Sequence, residues 1–163
     1  MTALRVGILT VSDAGARGER ADRSGDRIAE WVRARGGVEA ARELVPDETS
    51  RIAAVLAAWS DGGTVDLILT TGGTGLTPRD LTPEATRAVL DREAPRIAEA
   101  LRAAARPRVP RASLSRGVAG LRGRTLIINL PGSPGGVHDG LEVLDPIIDH
   151  AVQLVRGDST DHG

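Results

Sequence analysis

Three short apolar runs, residues 5–11, 65–70 and 125–130, limit what this chain can fold into more than any other feature. Each is rich in β-branched residues and leucine, and each is apolar at successive positions rather than alternate ones. A strand with one wet face alternates. A strand that is apolar on both faces is covered on both, as in a parallel sheet held between layers. The stretches between the runs carry helical spacing instead. Ile28, Trp31 and Val32 fall at i, i+3 and i+4 before a stop at Arg35-Gly36-Gly37. Ile52, Val55, Leu56 and Trp59 form a second stripe that ends at Asp61-Gly62-Gly63, and both tryptophans are expected in the core. Residues 38–45 read as a weaker strand. Thr82 is expected as an N-cap, with Pro83 at the first helical position and Glu84 in the first turn. Further helices are predicted over residues 95–106, about 137–144 and 146–156, with a short hairpin within 107–124. The alternation predicts an α/β fold whose mostly parallel sheet lies between helix layers. Residues 1–157 read as one domain and 158–163 as a flexible tail.

In such sheets ligands bind beyond the carboxyl ends of the strands. Three loops leave the predicted strands at that edge, beginning at Ser12-Asp13, at Thr71 and at Pro131, and all are polar or rich in glycine. The residues available to them exclude several chemistries. All 21 basic residues of the 163 are arginine, so a Gly-Lys-Ser/Thr phosphate loop and a lysine Schiff base are ruled out. With no cysteine there is no disulfide, thiolate nucleophile or thiolate metal site. The net charge of −1 and the lack of tyrosine and phenylalanine argue against a nucleic-acid partner. No apolar run approaches the ~20 residues that a membrane-crossing helix needs. The opening Met1-Thr2-Ala3-Leu4-Arg5 has no leader-like pattern, and a cytoplasmic location is expected.

The loop Thr71-Gly72-Gly73-Thr74-Gly75-Leu76-Thr77-Pro78-Arg79-Asp80 offers unencumbered backbone amides and hydroxyls, which together can cradle an anion. Gly-Gly-Thr-Gly taken alone is more simply a turn. Asp80 shifts the balance, because a carboxylate beside a phosphate cradle requires a cation between them, as in Mg²⁺-nucleotide sites. Asp47 and Glu48 follow the second strand, and spacing alone favours helix capping by Asp47 or Thr49 over a site role. Ser12 and Asp13 fit either a turn or the edge of a site. Ser133 fits an N-cap or part of a ligand cradle. Arg79 and Arg116 have the geometry to clamp phosphate, though a surface role is the commoner one in so arginine-rich a chain. His138 and His150 have no metal-type i, i+4 partner and read as structural, and His162 as part of the tail.

The run Thr70-Thr71-Gly72-Gly73-Thr74-Gly75, followed by Arg79-Asp80 and Thr82-Pro83-Glu84, resembles the signature of the molybdenum-cofactor biosynthesis family. Leu114-Ser115-Arg116 and Asn129-Leu130-Pro131-Gly132-Ser133-Pro134 match its later motifs in order, and Val11-Ser12-Asp13 and Val45-Pro46-Asp47-Glu48 agree as well. The resemblance covers about residues 4–156 and points to the molybdopterin adenylyltransferase type. It implies a three-layer αβα sandwich, usually trimeric, that transfers AMP from MgATP to the terminal phosphate of molybdopterin and releases pyrophosphate. It implies Asp47 and Asp80 as the functional acidic pair and Mg²⁺ ligands. Substrate and nucleotide contacts are implied for Ser12, Asp13, Thr71, Gly72, Gly73, Thr74, Gly75, Ser115, Arg116, Pro131, Gly132 and Ser133. It also implies hand-over of product to a molybdate-inserting enzyme. Some relatives carry a lysine where this chain has Gly135, and no contact is assigned to the arginine-rich residues 12–24. A molybdopterin carrier without turnover and a relative of the molybdate-inserting domain are the alternative readings.

Overall fold

The computed structural model describes residues 2–158. Successive apolar residues in the three runs do point to opposite sides of one sheet. Leu67 and Leu69 of strand β3 (Leu67–Thr71) enter one core, and Ile68 between them enters the other. Strand β6 (Thr125–Leu130) divides in the same way, with Leu126, Ile128 and Leu130 on one side and Ile127 on the opposite one. Strand β1 (Arg5–Val11) sends Val6 and Ile8 to the first core and Leu9 and Val11 to the second.

The first core is closed by helices α2 (Arg23–Ala34), α6 (Pro134–Leu144) and α7 (Ile148–Arg156), with α5 (Pro95–Ala105) packed along its margin. The second is closed by α3 (Thr49–Asp61) and α4 (Thr82–Val89). Three layers result, as expected. Strands β2 (Val38–Val45), β4 (Arg92–Glu93) and β5 (Ala119–Arg122) complete a six-stranded sheet of order β2-β1-β3-β6-β5-β4. β2, β1, β3 and β6 run parallel, while β5 is antiparallel to both of its neighbours. Residues 107–124 hold one strand rather than the predicted hairpin: β5 turns back against β6, the strand that follows that segment. β2 reads weakly in the sequence because it is an edge strand with most side chains exposed.

The chain departs from the sequence reading at several points. The polar loop after β1 contains a one-turn helix, α1 (Asp13–Ala16), capped by Ser12, whose Oγ accepts from the Gly15 amide. Residues 110–114 wind into a 3₁₀ turn. Thr82 is not a cap: Leu81 precedes the helix, and the buried Thr82 hydroxyl donates to the Gly72 carbonyl at 2.9 Å. Neither Asp47 nor Thr49 caps α3, where Glu48 holds the cap position without a side-chain bond. Ser133 does cap α6 through the Gly136 amide. The tryptophans are half-buried at the core margins rather than inside: Trp59 lies over Gly7, and Trp31 donates to Asp145 with the Arg35 guanidinium over its ring. His138 and His150 are exposed, and His138 does have an i+4 partner, Glu142, at 2.9 Å. Of the expected tail, Asp158 pairs with Arg156, while residues 159–163, His162 included, lie outside the described residues. Among the described residues no helix is long and apolar enough to cross a membrane.

One buried charge ties the ends of the described chain together. Asp66, 2% exposed, accepts from the Arg5 amide and guanidinium and from Arg156 of α7 at 2.8–3.1 Å. Burial alone would push its carboxyl up, but the hydrogen bonds and charges of Arg5 and Arg156 prevail and hold it below the usual carboxylate range. A depressed folded-state value stabilises the fold above the unfolded value, and that stabilisation is lost as pH falls through the folded one. Asp66→Ala is expected to lower the unfolding free energy at pH 7 by about 2–3 kcal/mol, the lower end for a broken buried pair because both guanidinium groups keep some water. Urea titration checks this, and the deficit shrinks on acidification.

Candidate active site

Parallel pairing sets Thr10 opposite Thr71 and Thr71 opposite Leu130, so the loops after β1, β3 and β6 leave the sheet side by side. The strand order reverses between β1 and β3, the place where open α/β sheets hold ligands. Two depressions open there. A cleft of about 910 Å³ is lined by Ser12, Asp13, Asp47, Thr71, Gly72, Gly73, Asp80, Gly132 and Ser133 among others. A second compartment of about 530 Å³, more apolar, is lined by Thr74, Gly75, Ser115, Pro131 and again Ser133, with Leu76, Leu101 and Leu114. The residues singled out in the sequence thus come together as two adjoining spaces rather than one, with the Gly73-Thr74 step and residues 131–133 between them.

The glycine loop takes a shape that only glycine permits. Gly72 and Gly73 have φ of 98° and 69°, in the left-handed region. A Cβ on Gly72 would also collide with the Val11 carbonyl, and one on Gly73 with the Thr82 hydroxyl. The Thr71 hydroxyl donates to the Pro131 carbonyl at 2.5 Å and Ser24 Oγ to the Gly132 carbonyl at 2.7 Å, fastening neighbouring loops to one another. Among the described residues, the amides of Gly73, Thr74, Gly75, Gly132 and Ser133 donate to no protein acceptor. That is the makings of an anion cradle.

Five carboxylates line the cleft: Asp13, Glu19, Asp22, Asp47 and Asp80. The Asp13 and Asp47 side chains each accept from the other's backbone amide, at 2.9 and 2.8 Å, and Arg79 grips Asp13 with two donors at 2.9 and 3.0 Å. The Arg79 guanidinium, and after it the Asp47 backbone amide, keeps the Asp13 carboxyl below its ordinary range. Asp47, 8% exposed, goes the other way: burial pushes it up, and the neighbouring charges of Asp13 and Asp80 add to this. Asp80 is oriented by the Thr77 amide and hydroxyl, both donating to its Oδ2 at 2.9 and 2.8 Å. A pocket that crowds carboxylates and offers only oxygen donors fits a hard divalent cation such as Mg²⁺.

Arg116 borders neither depression. Its guanidinium donates to the carbonyls of Gly75 and Asp80 and to both Glu84 oxygens at 2.7–3.2 Å, so four of its five donors brace the ends of the Asp80 loop. Residues passed over in the sequence also line the cleft: Thr10, Arg20, Asp22, Arg23 and Ser24. Asp22 and Gly25 are the available signal, because Asp22 caps α2 by accepting from the Gly25 amide, a spacing legible without coordinates.

Residues 7–150 match the family described as "Probable molybdopterin binding domain", and the chain belongs to that family. It is 56% identical to the molybdopterin biosynthesis enzyme MoaB from Thermus thermophilus, with a TM-score of 0.89 over 94% of this chain and 97% of that one. It is 39% identical to a molybdopterin adenylyltransferase of Helicobacter pylori over 96% of this chain and 90% of that protein. It is 36% identical to the molybdenum cofactor synthesis protein cinnamon of Drosophila melanogaster, of whose length it spans 26%.

The raised Asp47 carboxyl makes a testable prediction. A raised folded-state value means that stability falls as pH climbs from the unfolded carboxylate range (about 4) through the folded value. At pH 7 in chelator, Asp47→Asn is therefore expected to melt above the wild type in scanning calorimetry. Below about pH 4 the two melt together.

Proposed function

We propose that the protein is a molybdopterin adenylyltransferase, joining AMP from ATP to the terminal phosphate of molybdopterin and releasing pyrophosphate. The observation that carries this reading is the crowding of Asp47 and Asp80 beside a cradle of unpaired amides. A protein that merely held the pterin has little use for a buried carboxylate whose charge is already disfavoured by two others. The name borne by a relative of which the chain covers 90% supports the same activity.

An oxygen of the pterin phosphate attacks the α-phosphorus of ATP, a P–O bond forms, and the bond to the β-phosphate oxygen breaks. The protein's share is positioning and neutralisation of charge. Asp47 and Asp80 are the residues to hold Mg²⁺, which when bound withdraws charge from the phosphate oxygens. The amides of Gly73, Thr74 and Gly75, at the divide, hold phosphate oxygens, and Gly132 and Ser133 do so from the facing loop. The carboxylate cleft takes the nucleotide, and the compartment bordered by Ser115 and Leu114 takes the pterin end. This reading brings with it one catalytic domain over residues 1–157, a homotrimer, a cytoplasmic setting and hand-over to a molybdate-inserting enzyme.

The test is AMP transfer from MgATP to molybdopterin by wild type and Asp80→Ala. Wild type is expected to form adenylylated pterin and pyrophosphate, and the variant to do so about a hundredfold more slowly, the scale for losing one electrostatic stabiliser. Equal rates would remove the role of Asp80. Pterin binding without product would make the protein a carrier.

A further inference from the structure

Arginine is the only basic side chain other than histidine that this protein has, and most of those near the cleft are occupied. Arg79 is bound to Asp13, Arg17 to Glu19, Arg42 to Asp22 and Asp26, and Arg116 to Glu84. Arg20 and Arg23 differ. Both line the carboxylate cleft, both are exposed, and among the described residues neither guanidinium makes a hydrogen bond or an ion pair. The backbone that carries them is nonetheless fixed. Asp22 between them accepts from the Thr10 hydroxyl at 2.9 Å and from Arg42 at 3.0 Å, and Ser24 is bonded to the Gly132 carbonyl. The cleft therefore has carboxylates at Asp13, Glu19 and Asp22 that are paired with arginines, carboxylates at Asp47 and Asp80, and two unneutralised cations carried by an anchored segment.

We infer that Arg20 and Arg23 bind the β- and γ-phosphates of the nucleotide and hold the departing pyrophosphate. This rests on the adenylyltransferase reading and adds to it the direction of the reaction. Attacking and leaving oxygens lie roughly in line across the phosphorus. The second compartment meets the cleft at Gly73-Thr74 and at residues 131–133, so the attacking phosphate arrives from that side. The leaving group then departs away from it. Arg20 and Arg23 line the cleft and do not border the second compartment. Two guanidinium forks match the closely spaced oxygens of a diphosphate, which carries more charge than any other part of either substrate. Arg111, which lines the apolar compartment instead, has no place in this contact.

The experiment is calorimetric titration of the intact protein in Mg²⁺ with inorganic pyrophosphate, ATP and AMP, using wild type, Arg20→Gln/Arg23→Gln and Arg111→Gln. Because neither guanidinium is hydrogen-bonded or ion-paired among the described residues, the double variant is expected to melt at the wild-type temperature. Its pyrophosphate and ATP affinities are expected to fall about tenfold or more, the scale for losing charge-assisted hydrogen bonds. AMP affinity is expected to stay within about twofold, and Arg111→Gln to bind pyrophosphate as wild type does. Unchanged pyrophosphate binding by the double variant overturns the assignment, as does an equal loss for AMP or an equal effect of Arg111→Gln. Failure of the underlying reading looks different, since wild type itself would then form no adenylylated pterin.

Discussion

The parallel register of β1, β3 and β6 is the constraint on which the rest of the molecule depends. Thr10, Thr71 and Leu130 stand level across three strands, so three loops that are far apart in sequence begin within one strand spacing of the next. The register cannot slide. A one-residue slip in β3 would send Leu67 and Leu69 into the layer built for Ile68, and both cores would lose their fit. Burial on both faces thus fixes the site as firmly as any polar contact within it.

Upon that frame Asp13 and Asp47 are held by backbone as well as by charge. Asp13 and Asp47 sit 34 residues apart and exchange amide hydrogen bonds, which locks the first turn after β1 to the turn after β2. The arrangement keeps like charges together without letting them swing apart. Arg79 relieves the charge at Asp13 through two hydrogen bonds and at Asp47 only at a distance, so burial and repulsion still hold the Asp47 carboxyl raised. Anchored carboxylates, open amides and untethered guanidinium groups line a single cleft, assembled without a lysine.

Much of this is legible in the sequence, and the gaps have physical reasons. β1, β3 and β6 stand out because burial on both faces leaves an unbroken apolar run, and α2 and α3 because one face is buried every third or fourth residue. β4 has two residues and no pattern to show, and α1 is Asp-Ala-Gly-Ala, whose small residues carry no stripe. The glycine loop is readable, yet Thr82 passes for a cap because its partner is the Gly72 carbonyl ten residues back, made available only by the left-handed turn. Asp47 passes for a cap for the same kind of reason: its true partner, Asp13, is remote in sequence. The division into two compartments is not legible at all, since the second is walled by α5 and the 3₁₀ turn, elements whose packing partners leave no mark on local periodicity.

Arg116 shows where this architecture is least forgiving. A single planar group reaches the carbonyl that begins the Asp80 loop, the carbonyl of Asp80 itself and both oxygens of a carboxylate on α4. An ammonium group, with its donors gathered at one point, has no geometry that spans those acceptors. The loop is therefore a buckle with one main tongue, placed outside the carboxylate cleft and the apolar compartment beside it. A change there is felt wherever Asp80 has to be.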